Sequence, residues 1–273
     1  MAVPCGAPCK RNPWLVAVPG GAPCKRAAVA LDPLPSKRAF VEVCSGSETF
    51  TSVWRDAGHA VFPVDIKKGG QSHDLSTDTA VQLVRNAVVR LTCEASPPVV
   101  HFAPPCSTYS QARLPRLRSA DRPRGLPGEQ LTQDQKALLK YANRVTANVF
   151  KLMRGLAADG VPHCFEQPVS SMMLKDKAFR SWASQWGAQR VVVDQCQFGR
   201  PYRKRTVIWG VPSGLLDGLG KTCTCRQRHV VTLSRWGECD RNMATNQGSS
   251  AYPRELCEQW RRVMLENLKL VPR

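Results

Sequence analysis

An α/β fold, with a mostly parallel sheet covered by helices on both faces, is the fold class the sequence predicts, on two observations. From Ser36 onward, short apolar runs alternate with longer amphipathic stretches, the pattern of strands joined by crossover helices. Several apolar runs also stop abruptly at small, acidic or prolyl residues, as strands do where their carboxyl ends open on a ligand crevice. Strands are expected over residues 40–44, 60–66, 99–103, 162–165, 190–195 and 206–211. Helices are expected over 51–57, 77–94, 132–158, 171–186 and 254–268, each showing apolar residues at helical spacing.

Composition narrows the function. A chain of 273 residues with 42% hydrophobic content can bury one good-sized core, or one core and a small appendage. Lys and Arg number 39 against 21 Asp and Glu, a net charge of +18, which points to a polyanionic partner and to nucleic acid first. No apolar run approaches the roughly 20 residues of a membrane span, and the N-terminus lacks the apolar core of a signal peptide. A soluble intracellular protein, nuclear or nucleoid-associated and monomeric, with no membrane partner, is therefore expected. The 12 cysteines are spread over apolar runs and strand ends, which favours reduced thiols over a disulfide framework.

Residues 1–35 stand apart. AVPCGAPCKR at 2–11 recurs as AVPGGAPCKR at 17–26, a Pro/Gly-rich repeat with neither strand nor helix periodicity, so a disordered basic tail is expected.

The strand ends carry the chemistry-bearing residues. The first strand leads through Cys44-Ser45-Gly46-Ser47 into a helix, a small-residue turn that lets a ligand approach the backbone. The second ends at Asp65-Ile66, about twenty residues on, where an acid binds ribose hydroxyls. Asp74 offers a further carboxylate, or caps the next helix. The third strand stops at Pro104-Pro105-Cys106, the fourth at Glu166-Gln167-Pro168, and a basic stretch holding Arg203 and Arg205 joins the last two strands.

In this order, over roughly residues 38–270, these pieces resemble the cytosine-5 DNA methyltransferase family. The turn at 44–47 resembles its S-adenosylmethionine motif, and Pro104-Pro105-Cys106 its Pro-Cys nucleophile motif. Glu166-Gln167-Pro168 resembles its Glu-Asn-Val motif, Arg203-Lys204-Arg205 its Gln-x-Arg-x-Arg motif, and residues 248–253 its final motif. This chain departs from the pattern at Cys44 in place of Phe, at Glu48 and Thr49 in place of glycines, and at Gln167 in place of Asn.

The resemblance implies a Rossmann-like methyltransferase fold and transfer of a methyl group from S-adenosylmethionine to carbon 5 of cytosine in double-stranded DNA. Carbon 5 is too electron-poor to attack a methyl group until a nucleophile adds at carbon 6, and a cysteine thiolate suits that addition. Cys106 takes this role by resemblance, Glu166 contacts the base's ring nitrogen and amine, and Arg203 and Arg205 bind its carbonyl oxygen and a phosphate. Three features are expected to lower the Cys106 pKa: its strand-end position, the arginines that follow, and a helical turn beginning at Ser107. Cofactor contacts fall on Cys44, Ser45, Gly46, Ser47, Asp65, Ile66, Asp74 and Pro104.

A duplex cytosine must be flipped out to react. Residues 111–125 carry Arg113, Arg116, Arg118, Arg122 and Arg124 against the single acid Asp121, a set expected to contact phosphates; in the family this is a mobile loop. The domain reading is a tail at 1–35, a catalytic domain at 36–211, a short target-recognition segment at 212–248, and a C-terminal helix at 249–273 completing the catalytic domain. Within the short segment, Cys223, Cys225, His229 and Cys239 form a ligand set suited to a structural zinc, though not with a standard finger spacing. Two alternatives stay open: a cytosine-5 methyltransferase of tRNA, and a non-catalytic DNA-binding relative.

Overall fold

The structure is a computed structural model that describes residues 37–92, 96–226, 228–229 and 251–270. The expected tail at 1–35 lies outside the described residues.

Six strands form one sheet in the order β2-β1-β3-β4-β6-β5. They are β1 (Phe40–Val43), β2 (Val61–Val64), β3 (Val99–Phe102), β4 (His163–Pro168), β5 (Gln189–Asp194) and β6 (Arg205–Val211). β1 pairs in parallel with β2 and β3, and β3 with β4. β6 runs antiparallel between β4 and β5. Its reversed direction has a geometric cause: a parallel return needs a crossover of a dozen or more residues, and the connection from Asp194 to Arg205 is shorter than that. The strands alternate with helices α1 (Thr49–Asp56), α2 (Ile66–Gly69), α3 (Asp78–Leu91), α4 (Gln133–Ala158) and α5 (Lys177–Gln185), and α6 (Arg254–Leu270) closes the chain.

The central strands β1 and β3 are buried on both faces, so they read as apolar runs interrupted only by the buried Glu42 and His101. Alternate side chains of β1 separate the two halves of the core. Val41 and Val43 face Val81 and Val84 of α3, Val149 and Met153 of α4 and Trp182 of α5. Phe40 faces Trp54 of α1 and Trp260 of α6, and its ring stacks on Trp54 at 4.6 Å. Leu215, Leu216 and Leu219 join this second half of the core, so the start of the expected recognition segment is core rather than an appendage.

Helix starts follow their caps. Thr132 begins α4 with a reciprocal capping box to Gln135, and Thr77 caps α3. The single helix expected over 171–186 is instead two pieces, a one-turn 3-10 helix at Met172–Lys175 and then α5. Asp176, extended at ψ 134°, breaks the run and caps α5 by accepting from the amide of Ala178.

The sheet positions the site. β1 is flanked by β2 on one side and β3 on the other, so the chain changes direction between β1 and β3. Ligands of such sheets bind outside the carboxyl ends of the strands at this switch point. Among the described residues no helix is long and apolar enough to cross a membrane.

Candidate active site

Turns at the carboxyl ends of β1, β3 and β4 build the site. After β1, the left-handed region is occupied by Cys44 at φ 63°, Gly46 at φ 51° and Glu48 at φ 56°. Two of these are L residues, for which that region carries strain. Hydrogen bonds hold the turn: the amides of Cys44 and Ser45 both donate to Val64 O at 2.7 and 3.2 Å, and that of Gly46 donates to Asp65 Oδ2 at 2.9 Å. Ser45 Oγ is buried with no hydrogen-bond partner among the described residues.

Beside this turn lies a cavity lined by Cys44, Val64, Asp65, Ile66, His73, Leu75, Pro105, Tyr141 and Val145. It is apolar but for one carboxylate, one imidazole and the polar tips of Cys44 and Tyr141. Asp65 caps α2 by accepting from the amide of Lys67. Asp74 is reached through Tyr141, whose hydroxyl donates to Asp74 Oδ1 at 3.0 Å. Pro105 lines the cavity where the sequence pointed to Pro104. Pro104 is buried, and its carbonyl accepts from Gln167 Nε2 at 2.8 Å, a bond that ties the end of β4 to the turn after β3.

Cys106 follows, half-buried. Burial pushes its thiol pKa up, the carboxyl of Glu166 pushes it further, and Lys204 opposes both. This departs from the expected lowering. Of the loop arginines, Arg118 and Arg124 are held by Thr108, Pro123, Asn143 and Asp176, and the charged group that adds to burial at Cys106 is a carboxylate. Glu166 is itself buried, and burial raises its pKa against the opposing effects of Lys204 and Tyr252. Tyr252 donates its hydroxyl to Glu166 Oε2 at 3.0 Å. Behind it, His101 Nε2 lies 3.3 Å from the same hydroxyl, and burial pushes the His101 pKa down to about 3, so the imidazole is neutral.

The basic stretch divides by strand alternation. Arg205 pairs across the ladder with Asp194, while Thr206 lies opposite Pro168 and Ile208 opposite Glu166. With a side-chain period of two, Arg203 and Arg205 share one face and Lys204 shares the other with Glu166. Arg205 accordingly makes a two-pronged ion pair with Asp194 at 2.8 and 2.7 Å, and Arg203 approaches the same carboxylate at 3.4 Å. Lys204 is the cation that acts on both Cys106 and Glu166.

The arginines of 111–125 are not equivalent either. Arg118 is buried, its guanidinium stacked 3.6 Å over the Tyr109 ring and bonded to Thr108 O, Pro123 O and Asn143 Oδ1. Arg124 forms an ion pair with Asp176 at 2.9 Å. Arg113 is half-buried, and Arg116 and Arg122 are exposed. Buried Leu117 docks the loop alongside Arg118.

Two site residues, Lys204 and Tyr252, escaped the sequence reading, and so did the buried acid Glu42. Alternation counted back from Thr206 would have found the first, and the acid inside the apolar run Val41-Glu42-Val43 marks the last. Glu42 is buried on the α1 side of β1, where it accepts from the amide and hydroxyl of Thr51. Burial raises its pKa to about 7. Of the expected metal ligands, Cys223, Cys225 and His229 come together, joined by Cys196; Cys239 lies outside the described residues.

No protein-family model matches the chain, and no curated protein matches it. Among solved structures it is similar to a methyltransferase of Entamoeba histolytica, at 11% identity over 64% of this chain and 53% of that one, with a TM-score of 0.37. It is also similar to the Dnmt2 methyltransferase of S. pombe, at 12% identity over 64% of this chain and 48% of that one, with a TM-score of 0.35. The chain thus spans about half the length of these structures.

Proposed function

We propose that the chain is a cytosine-5 methyltransferase that uses S-adenosylmethionine and acts on a flipped cytosine in double-stranded DNA. The observation that carries this reading is the meeting of Cys106, Glu166 and Lys204 at adjacent strand ends, beside the cavity at the switch point.

The cavity's residues fit the cofactor. A largely apolar slot with a single carboxylate suits a nucleoside, and in the adjoining turn the buried Ser45 Oγ, without a partner among the described residues, is a polar atom left for a ligand to satisfy. Asp65 and Ser45 would hold the polar parts, and Ile66, Leu75 and Pro105 the base. The cofactor supplies an electrophilic methyl group on a sulfonium.

The protein's own groups do the rest. A protonated Glu166, the form its burial favours, shares its proton with ring nitrogen 3 of cytosine and draws electrons from carbon 6. Cys106 gives up its proton to solvent and forms an Sγ–C6 bond while the Glu166 proton passes to ring nitrogen 3, which makes carbon 5 nucleophilic. Lys204 offsets the negative charge shared by the thiolate and the carboxylate. Once carbon 5 carries the methyl group, loss of its proton to a water molecule, expulsion of the Cys106 thiolate and return of the nitrogen 3 proton to Glu166 restore the aromatic ring. Exposed Arg116 and Arg122 are the loop residues free to meet phosphates without undocking the loop.

Transfer of labelled methyl from S-adenosylmethionine to duplex DNA and, separately, to tRNA tests the proposal, with Cys106→Ser as control. Labelled DNA and an inactive variant are expected. Labelled tRNA alone would move the substrate to RNA, and no transfer to either, with DNA binding intact, would overturn the enzymatic reading.

A further inference from the structure

Four metal-ligating side chains outside the active site converge on one point. Cys196 lies in the 3-10 helix Gln195–Phe198 after β5, and Cys223, Cys225 and His229 lie beyond β6. Their ligand atoms, three sulfurs and one imidazole nitrogen, all lie within 4.8 Å of one another. Cys223 Sγ is 3.6 Å from His229 Nε2. Zinc bonds of about 2.3 Å to sulfur and 2.0 Å to nitrogen, arranged tetrahedrally, place ligands roughly 3.5–3.8 Å apart. Small rotamer shifts are enough to contract the cluster to that geometry.

The surroundings are built to hold these groups in place. Lys221 extends the sheet edge, its amide donating to Val192 O at 3.1 Å and its carbonyl accepting from Asp194 N at 2.8 Å. The amide of Cys223 donates to Asp194 Oδ2 at 2.7 Å, and Gln197 Nε2 donates to Cys225 Sγ at 3.4 Å. Yet residues 221–229 contain no apolar side chain apart from the cysteines, and none of the described ones is buried. No core pins this segment, which is the circumstance in which small segments depend on a metal cross-link.

We propose that Cys196, Cys223, Cys225 and His229 bind one zinc ion in a closed structural site. Three thiols lose their protons on binding, and three thiolates with a neutral imidazole leave the site with a net charge of minus one. The cations beside it, Arg203 and Arg205 around Asp194 and the exposed Arg226 and Arg228, match that charge. All four positions are filled by protein, so the metal has no open site for chemistry. Its task is to fasten the segment after β6 to the β5–β6 connection, and so to hold the backbone from which Lys204 faces the active site. This assignment replaces Cys239 with Cys196 and stands independently of the methyltransferase reading.

Metal analysis of the full-length chain, purified without chelator or metal-affinity resin, is expected to give about one zinc per chain. The ion should be released on titration of the thiols with an organomercurial. Cys196→Ser should lose most of the zinc, while Cys239→Ser keeps it. Zinc well below stoichiometry in the unaltered chain, or retention in Cys196→Ser with loss in Cys239→Ser, overturns the assignment. Should Cys196→Ser fail to fold, cobalt substitution of the unaltered chain decides: tetrahedral visible bands with strong thiolate charge transfer support it, and an octahedral or sulfur-poor spectrum overturns it.

Discussion

The hydroxyl of Tyr252 donates to Oε2 of Glu166 at 3.0 Å, joining the segment before the last helix to the carboxyl at the end of β4. Because Tyr252 stabilises the charged form, it opposes the rise that burial imposes on Glu166. Tyr252→Phe keeps the ring that packs against Trp260 and His101 and deletes only the bond. A hydrogen bond to a charged group is worth about 1.5–3 kcal/mol, so methyl transfer is expected to fall roughly 10- to 100-fold. The alkaline limb set by Glu166 should move to higher pH, and the buried partners left behind, Glu166 and His101, should cost about 1–3 kcal/mol of stability. A pH profile of kcat/KM checks this; an unshifted profile would show that Tyr252 only packs.

Lys204 and Arg205 are neighbours in sequence with opposite expected phenotypes. Lys204 lowers the pKa of both Cys106 and Glu166, so Lys204→Met should raise both, slow the reaction at neutral pH and leave the melting temperature nearly unchanged. Arg205→Met leaves buried Asp194 with Arg203 as its remaining ion-pair partner, so it should lower the melting temperature first. Thermal melts alongside initial rates at several pH values separate the two; the reverse pattern would contradict the alternation on β6.

How much of this was legible in the sequence follows from which physical signals are local. The strands were readable because burial writes short, mostly apolar runs, strongest in β1 and β3, and most helices because caps such as Thr132 and Thr77 write their own starts. Asp176 was readable too, as a cap inside the run expected to be one helix, but apolar spacing masked it. Cys106 and Glu166 stood out as polar residues at strand ends. Lys204, Tyr252 and Cys196 did not, because each acquires its role from register or from a partner far along the chain. Tyr252 meets a residue 86 positions away, and Cys196 joins ligands from beyond the next strand. The arginines of 111–125 looked alike by charge, yet burial alone separates Arg118 from Arg122.

That separation is measurable. Arg118→Ala removes a stacked guanidinium whose partners, Thr108 O, Pro123 O and Asn143 Oδ1, stay behind, and should cost about 2–3 kcal/mol of stability. Arg116→Ala and Arg122→Ala should leave stability within about 0.5 kcal/mol. On the proposed DNA-binding role, each should reduce the salt dependence of binding by about one unit of slope. Binding isotherms over a range of salt, with denaturant melts, check both halves. An unchanged slope for Arg116→Ala and Arg122→Ala would remove the loop from the proposed DNA contact.

Glu42 makes the folded state's stability depend on pH. Its pKa is raised by burial from 4.5 to about 7, so the folded chain holds this proton more tightly than the unfolded one. Below pH 4.5 the carboxyl is protonated in both states and its ionisation costs nothing. Between pH 4.5 and 7 the unfolded chain ionises first, and stability falls as pH rises. Above pH 7 the loss is complete, at about 3 kcal/mol for the full shift. Buried histidines such as His101, held neutral by a lowered pKa, act in the opposite direction as the solution is acidified, so the unaltered protein shows only the sum. Glu42→Gln isolates the carboxyl, since the amide oxygen can still accept from the Thr51 amide and has no proton to lose. The difference in unfolding free energy between variant and unaltered chain, measured by urea melts from pH 5 to pH 8, is expected to swing toward the variant by about 2–3 kcal/mol. A difference that stays flat across that range would mean the Glu42 carboxyl is not raised.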